Sequence, residues 1–154
     1  MTDTHALGTV RDSIIQSGDR LIACLDGMTA AELNWQPPAQ GGNSVYAIVN
    51  HAIGTQEGHI LGRIFGQEVT PRPNAGWGVE GDAAEPLRER WKELRPRVYD
   101  TLSRASSAAL ERDCEHPRIG KLSGWAMLLL VDRHTAEHVG HAELTRDLAK
   151  AAGV

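Results

Sequence analysis

The helix breakers of this chain fall in clusters, and the stretches between the clusters are too long to be anything but helices. Pro37-Pro38 stands with Gly41-Gly42, Pro71 and Pro73 stand with Gly76, Gly78 and Gly81, and Pro117 lies in a Cys114–Gly120 segment. Proline lacks a backbone donor and glycine is conformationally loose, so such clusters punctuate regular structure. Four stretches remain. The first runs from about Ala6 to Gly27, with Val10, Ile14, Leu21, Ala23, Cys24 and Leu25 near helical spacing and Gly27 as a stop. Thr29-Ala-Ala-Glu32 then reads as a capping box over a short turn. Asn43 or Ser44 can cap a second helix that continues to about Gly66. A third spans Ala84 to Ala109, with Pro86 tolerated in its first turn and Pro96 as a candidate kink. Ser123 caps the last helix, a rod of about 40 Å ending near Ala152. No run with period two marks a strand. The expectation is all-α: one domain, residues 1–154, folded as an antiparallel four-helix bundle.

At 154 residues and 41% hydrophobic content, such a domain can bury a core without a staple. The net charge of −4 argues against a nucleic-acid or anionic-membrane partner, either of which would call for a basic excess. The longest apolar run, Trp125 to Val131, is too short to span a bilayer, and Met1 to His5 lacks the character of a signal peptide. Cys24 and Cys114 are isolated and read as reduced thiols, which fits the cytoplasm.

Chemistry concentrates in the last helix. His134 and His138 are four residues apart, so both imidazoles leave one face a turn apart and can converge on one ion. They lie on a three–four seam, Met127, Val131, His134, His138, His141, Thr145 and Leu148, that otherwise faces the core. Buried imidazoles require partners for their nitrogens, and a metal is one such partner; packing alone is the competing reading. His134-Thr-Ala-Glu137-His138 also matches the H-x-x-E-H signature of inverted zinc proteases. Those enzymes need a carboxylate ligand on a separate downstream element, and none follows here.

A third ligand must come from another helix, and the second offers His51 and His59. Small residues Ala47, Gly54, Gly58 and Gly62 share the face of His51 and leave room for a cavity, or for close helix packing. Val49, Ile53, Ile60 and Ile64 make an apolar stripe on the other side, so either this helix is buried on two sides, as at a homodimer interface, or His51 is less central to the site. Periodicity leaves His51 and His59 undecided. Gln56, His59 and Arg63 share a face that can meet a polar ligand, although a solvated face is the simpler reading. Trp35, Trp77 and Trp125 are candidates for a substrate mouth or for ordinary core, and Asp132 and Glu137 for orienting the imidazoles.

Leu33-Asn-Trp35, Ser44, Ile48-Val-Asn-His51, His134-x-x-x-His138-x-Gly-His141 and Arg146-Asp-Leu148, in that order, resemble the DinB-like (DinB/YfiT) four-helix family over essentially the whole chain. The resemblance implies a divalent metal, zinc or nickel, on His51, His134 and His138. His141, one turn beyond the pair in a Gly-His step common in relatives, lies behind the ligands or on the substrate side, where the residue pattern also makes His59 and Glu137 candidates. The resemblance also implies a transferase or isomerase that uses a low-molecular-weight thiol as cosubstrate. The metal would hold the cosubstrate sulfur as thiolate for attack on an electrophilic small-molecule substrate, and neither cysteine of the chain would be the nucleophile. Three neutral ligands leave an open position, which suits reactivity. The alternative is a non-catalytic, stress-related metal-binding protein, as many relatives have no assigned reaction.

Overall fold

Hydroxyl caps open the helices at the marked positions. In the computed structural model, which describes residues 4–69 and 77–154, helix α1 spans Thr4–Ala23 and is followed by a turn in which Gly27 takes a left-handed φ of 68°. Helix α2, Ala30–Asn34, carries the capping box in full: Thr29 Oγ1 accepts from the Glu32 N–H, and Glu32 accepts from the Thr29 N–H. Ser44, rather than Asn43, caps helix α3, Val45–Gln56. Ser123 caps helix α6, Gly124–Ala152.

Three departures from the sequence expectation shape the site. The second helix does not remain α-helical: from Glu57 to Ile64 it is a π-helix, which ends before Gly66 at a left-handed φ of 64°. The third helix, α4, spans Glu85–Ser103 and runs through Pro96, but stops short of Ala109 because Ser106 caps a separate helix α5, Ser107–Glu111. The segment read as a loop is a β-hairpin. Strand β1, Asp113–His116, pairs antiparallel with β2, Gly120–Ser123, in the register Cys114↔Leu122 and His116↔Gly120. Four residues per strand are too few to show a period, and five of the eight are polar or charged. Pro71, Pro73 and Gly76 lie outside the described residues.

The chain is thus mostly helical. α1 packs on α4 and α6, while α3 packs on α6 and the π-helix reaches α4, α6 and β1. Ile14, Leu21, Leu25, Ile48, Ile53, Ile60, Leu61, Leu102, Met127 and Leu128 form the fully buried centre of the core. Val49, Ile53, Ile60 and Ile64 all face this core, so the two-sided burial of the second helix arises within one chain and calls for no second copy. On α6 the expected seam holds from Met127 to Thr145; Leu148 leaves it and is 43% exposed.

Two close approaches fix neighbouring elements. A Cβ on Gly18 would overlap the Trp91 indole, so α1 and α4 meet at contact distance only with glycine there. Asn34 clamps the backbone of Gly81, accepting from its N–H and donating to its carbonyl, both at 3.0 Å. That clamp holds the chain close behind Trp77 against α2.

Candidate metal centre

His51 on α3 meets His134 and His138 on α6. The Nε2 atom of His134 lies 3.2 Å from that of His51 and 3.1 Å from that of His138. One ligand nitrogen from each ring can be chosen so that all three lie within 4.8 Å of one another, and these residues could hold a metal ion. The alternative partner set is inadequate. An imidazole nitrogen has either one proton or one in-plane lone pair, so His134 Nε2 can satisfy one neighbour and not two. A cation among the three rings satisfies every lone pair at once. Four ligands at about 2.0–2.1 Å around a tetrahedral ion stand about 3.3 Å apart, close to the spacing seen here.

Electrostatics favour the neutral, ligating form of these rings. Burial lowers the pKa of His138 to about 4, helped by His134, His51 and His141. Burial also lowers that of His134; Glu137 opposes the shift, and Arg133 and Arg118 add to it. The Nδ1 atoms of His134 and His138 are buried and have no hydrogen-bond partner among the described residues. Metal-bound histidines usually donate this second N–H. The expectation that Asp132 and Glu137 supply the acceptors therefore fails: Glu137 pairs with Arg133 at 3.4 Å, and Asp132 Oδ1 is itself unpartnered.

The three rings form one wall of a cavity of about 880 Å³. Gly54, Gly58 and Gly62 line it, as the small-residue stripe beside His51 suggested. The chain belongs to the DinB superfamily. Residues 14–142 match that family, whose members often bind metal. A comparison with curated proteins found no match.

The other expected DinB-family positions divide. His141 stacks on His138 with ring centroids 5.9 Å apart and takes no part in the triad. His59, the rival to His51, sits on the cavity wall with its ring 5.1 Å from that of His116. Burial lowers its pKa to about 4, and His116, Arg63 and His134 add to the effect. Glu137 also lines the cavity. The solvated-face reading fails at Gln56, which is fully buried and absent from the lining, and holds at Arg63, which is exposed; Arg63 and half-buried His59 both line the cavity. Trp77 covers the triad, its ring centroid 4.3 Å from that of His51; Trp35 and Trp125 do not reach the cavity. Cys24 is buried and Cys114 half-buried, burial raises the pKa of both thiols, and neither lines the cavity.

Sequence reasoning missed His116 and Arg118. Both come from the hairpin that was read as a connecting loop, and Pro117, which sits in its turn, was the one available signal that the segment changes direction sharply there.

Proposed function

We propose that this protein holds one divalent ion, zinc or nickel, on His51, His134 and His138, and that it is a thiol S-transferase acting on small molecules. The scaffold we infer is an antiparallel four-helix bundle forming a single domain over residues 1–154, a reading supported by one continuous core shared by α1, α3, α4 and α6. The observation that carries the function is the convergence of three Nε2 atoms on the wall of an open cavity. A purely structural or sequestering site has no use for a large chamber against its ligands, so the cavity favours reactivity over a non-catalytic, stress-related role. A divalent ion in this position supplies Lewis acidity, which favours the thiolate of a cosubstrate over its thiol.

The residues of the chain supply the rest. Trp77 shields the imidazoles from water on one side. Val69, Ile119 and Leu130 provide apolar wall for the body of a substrate. His59 is neutral at pH 7, so it can accept a proton without first losing one. The cysteines stay as protonated thiols away from the cavity, which leaves nucleophilic sulfur to an external thiol.

Elemental mass spectrometry of protein purified without an affinity tag tests the first half. About one equivalent of metal is expected, and its absence after dialysis against zinc or nickel overturns the reading. The second half is tested by thiol consumption with 1-chloro-2,4-dinitrobenzene, in which an S–C bond forms and chloride leaves. A rate above background that His134→Ala, His138→Ala abolishes supports a transferase; a metal-loaded protein with no rate across low-molecular-weight thiols supports the binding role.

A further inference from the structure

The chain carries a net charge of −4, yet the cavity is lined by three arginines, Arg63, Arg118 and Arg133, against one acidic residue, Glu137. Arg133 is taken up by Glu137 at 3.4 Å. Arg63 and Arg118 have no carboxylate partner among the described residues. Arg63 is instead positioned by a neutral group, donating through Nη1 to the Glu115 carbonyl of β1 at 3.0 Å. Arg118 sits in the hairpin turn, and the turn itself is built around His116: its Nδ1 accepts from the N–H groups of Arg118 and Ile119, both at 3.2 Å. With Nδ1 used as acceptor, the ring proton stands on Nε2, which makes His116 a donor on the cavity wall. Most other guanidinium groups of the molecule meet carboxylates, as Arg95 does at Asp19, Arg90 at Glu57 and Arg88 at Asp26. Arg63 and Arg118 do not, and both stand on the wall of one cavity.

We propose that Arg63, Arg118 and His116 form an oxyanion subsite, so that the cavity takes an organic molecule bearing a carboxylate or a phosphate ester. The apolar stretch of wall formed by Val69, Trp77, Ile119 and Leu130 receives the body of that molecule. Guanidinium forks suit both oxyanions, and Arg63 and Arg118 are exposed at the cavity wall, where an incoming anion can reach them. Burial is the main cause of the lowered pKa of half-buried His59, and His116, Arg63 and His134 add to it. This assignment names the substrate class of the site proposed above and rests on that cavity being the reactive one. The subsite itself belongs to the chain and does not need the ion.

Titration calorimetry on the full-length, tag-free protein tests it, with phenylacetate as the anionic probe and phenylacetamide as its neutral counterpart. Phenylacetate is expected to bind saturably and phenylacetamide about tenfold more weakly or not at all. Arg118→Gln and Arg63→Gln should each weaken phenylacetate by about tenfold, whereas Arg20→Gln, a surface guanidinium paired with Glu143, should not. Phenyl phosphate run in parallel assigns the oxyanion. Phenylacetate binding retained in His134→Ala, His138→Ala places the anion on the arginines and holds even if the metal reading fails. Binding lost in that variant but kept in the arginine variants places it on the ion and overturns the proposal, as does equal binding of acid and amide. Circular dichroism confirms that each variant keeps its helicity.

Discussion

The α1–α4 interface and the α3–α6 interface use the same kinds of residue to opposite ends. Between α1 and α4 every polar group is answered: Asp19 accepts from Trp91 Nε1 at 2.8 Å and from Arg95 at 2.9 and 3.0 Å, directly beside the Gly18–Trp91 contact. Burial alone would raise the pKa of Asp19, but the hydrogen bonds from Arg95 and Trp91 outweigh it and hold the carboxyl below its ordinary value. Between α3 and α6, three imidazoles crowd one point and two buried Nδ1 atoms go unanswered. Buried polar groups in native proteins are rarely left so. The first interface is complete within the chain. The second brings three half-buried imidazoles together where they could hold a metal ion.

Replacing ligands should break that contrast most severely. His134→Ala with His138→Ala should take metal content from about one equivalent to near zero. His51→Ala should cost more affinity than the roughly 10–100-fold typical of residues behind the ligands, read by competition with a chromophoric chelator.

The reverse pattern is expected at α1–α4. Gly18→Ala forces a methyl into the Trp91 ring and should destabilise by about 1–3 kcal/mol in urea denaturation, with metal content unchanged. Asp19→Ala removes the acceptor of Trp91 Nε1 and the partner of Arg95. The pair is nearly half exposed, so the loss should be about 1 kcal/mol, again without effect on metal.

Acid sharpens the comparison by its sign. The folded pKa of His59, about 4, lies below its ordinary value of 6.5, so the unfolded chain takes up more protons between those values. The stability contributed by keeping His59 neutral is full above pH 6.5 and is lost as the pH falls toward 4. Asp19, lowered from 3.8, keeps its contribution until lower pH. Metal should be held until the lower end of the range, because burial lowers the pKa of His134 and brings that of His138 to about 4. Denaturation midpoints and metal content followed from pH 7 to 4 check both. The smallest effect is expected at Thr29→Ala, about 1 kcal/mol from the capping box alone.

These contrasts explain what could be read from the residues and what could not. The capping box, the Ser44 and Ser123 caps and the His134–His138 pair depend on neighbours within one turn, and all are visible in the sequence. Burial of the apolar stripe at Val49, Ile53, Ile60 and Ile64 was visible for the same reason. Periodicity could not choose His51 over His59, a choice only the family resemblance made, because the π-helix begins between them and changes the angular step that a periodicity argument assumes. Nor was the arginine wall visible: Arg63 and Arg118 are far apart in sequence and are joined only by the short hairpin, whose strands carry too little pattern to be seen. Asp132 and Glu137 were misjudged because proximity in sequence on α6 is not proximity to Nδ1.

The π-helix also says something about heredity. Such a segment carries one residue more per span than an α-helix of equal length, so loss of any one residue between Glu57 and Ile64 would let an ordinary helical ladder run straight through. The backbone would lose nothing by it. The residues left between Glu57 and Ile64 would take new angular places on the tightened helix, and His59, Gly62 and Arg63 would lose their present positions on the chamber wall that His51 shares. Substitutions in this segment are therefore tolerable one at a time, whereas its length is not negotiable, and descendants of this chain should vary the letters between Glu57 and Ile64 far more freely than their number.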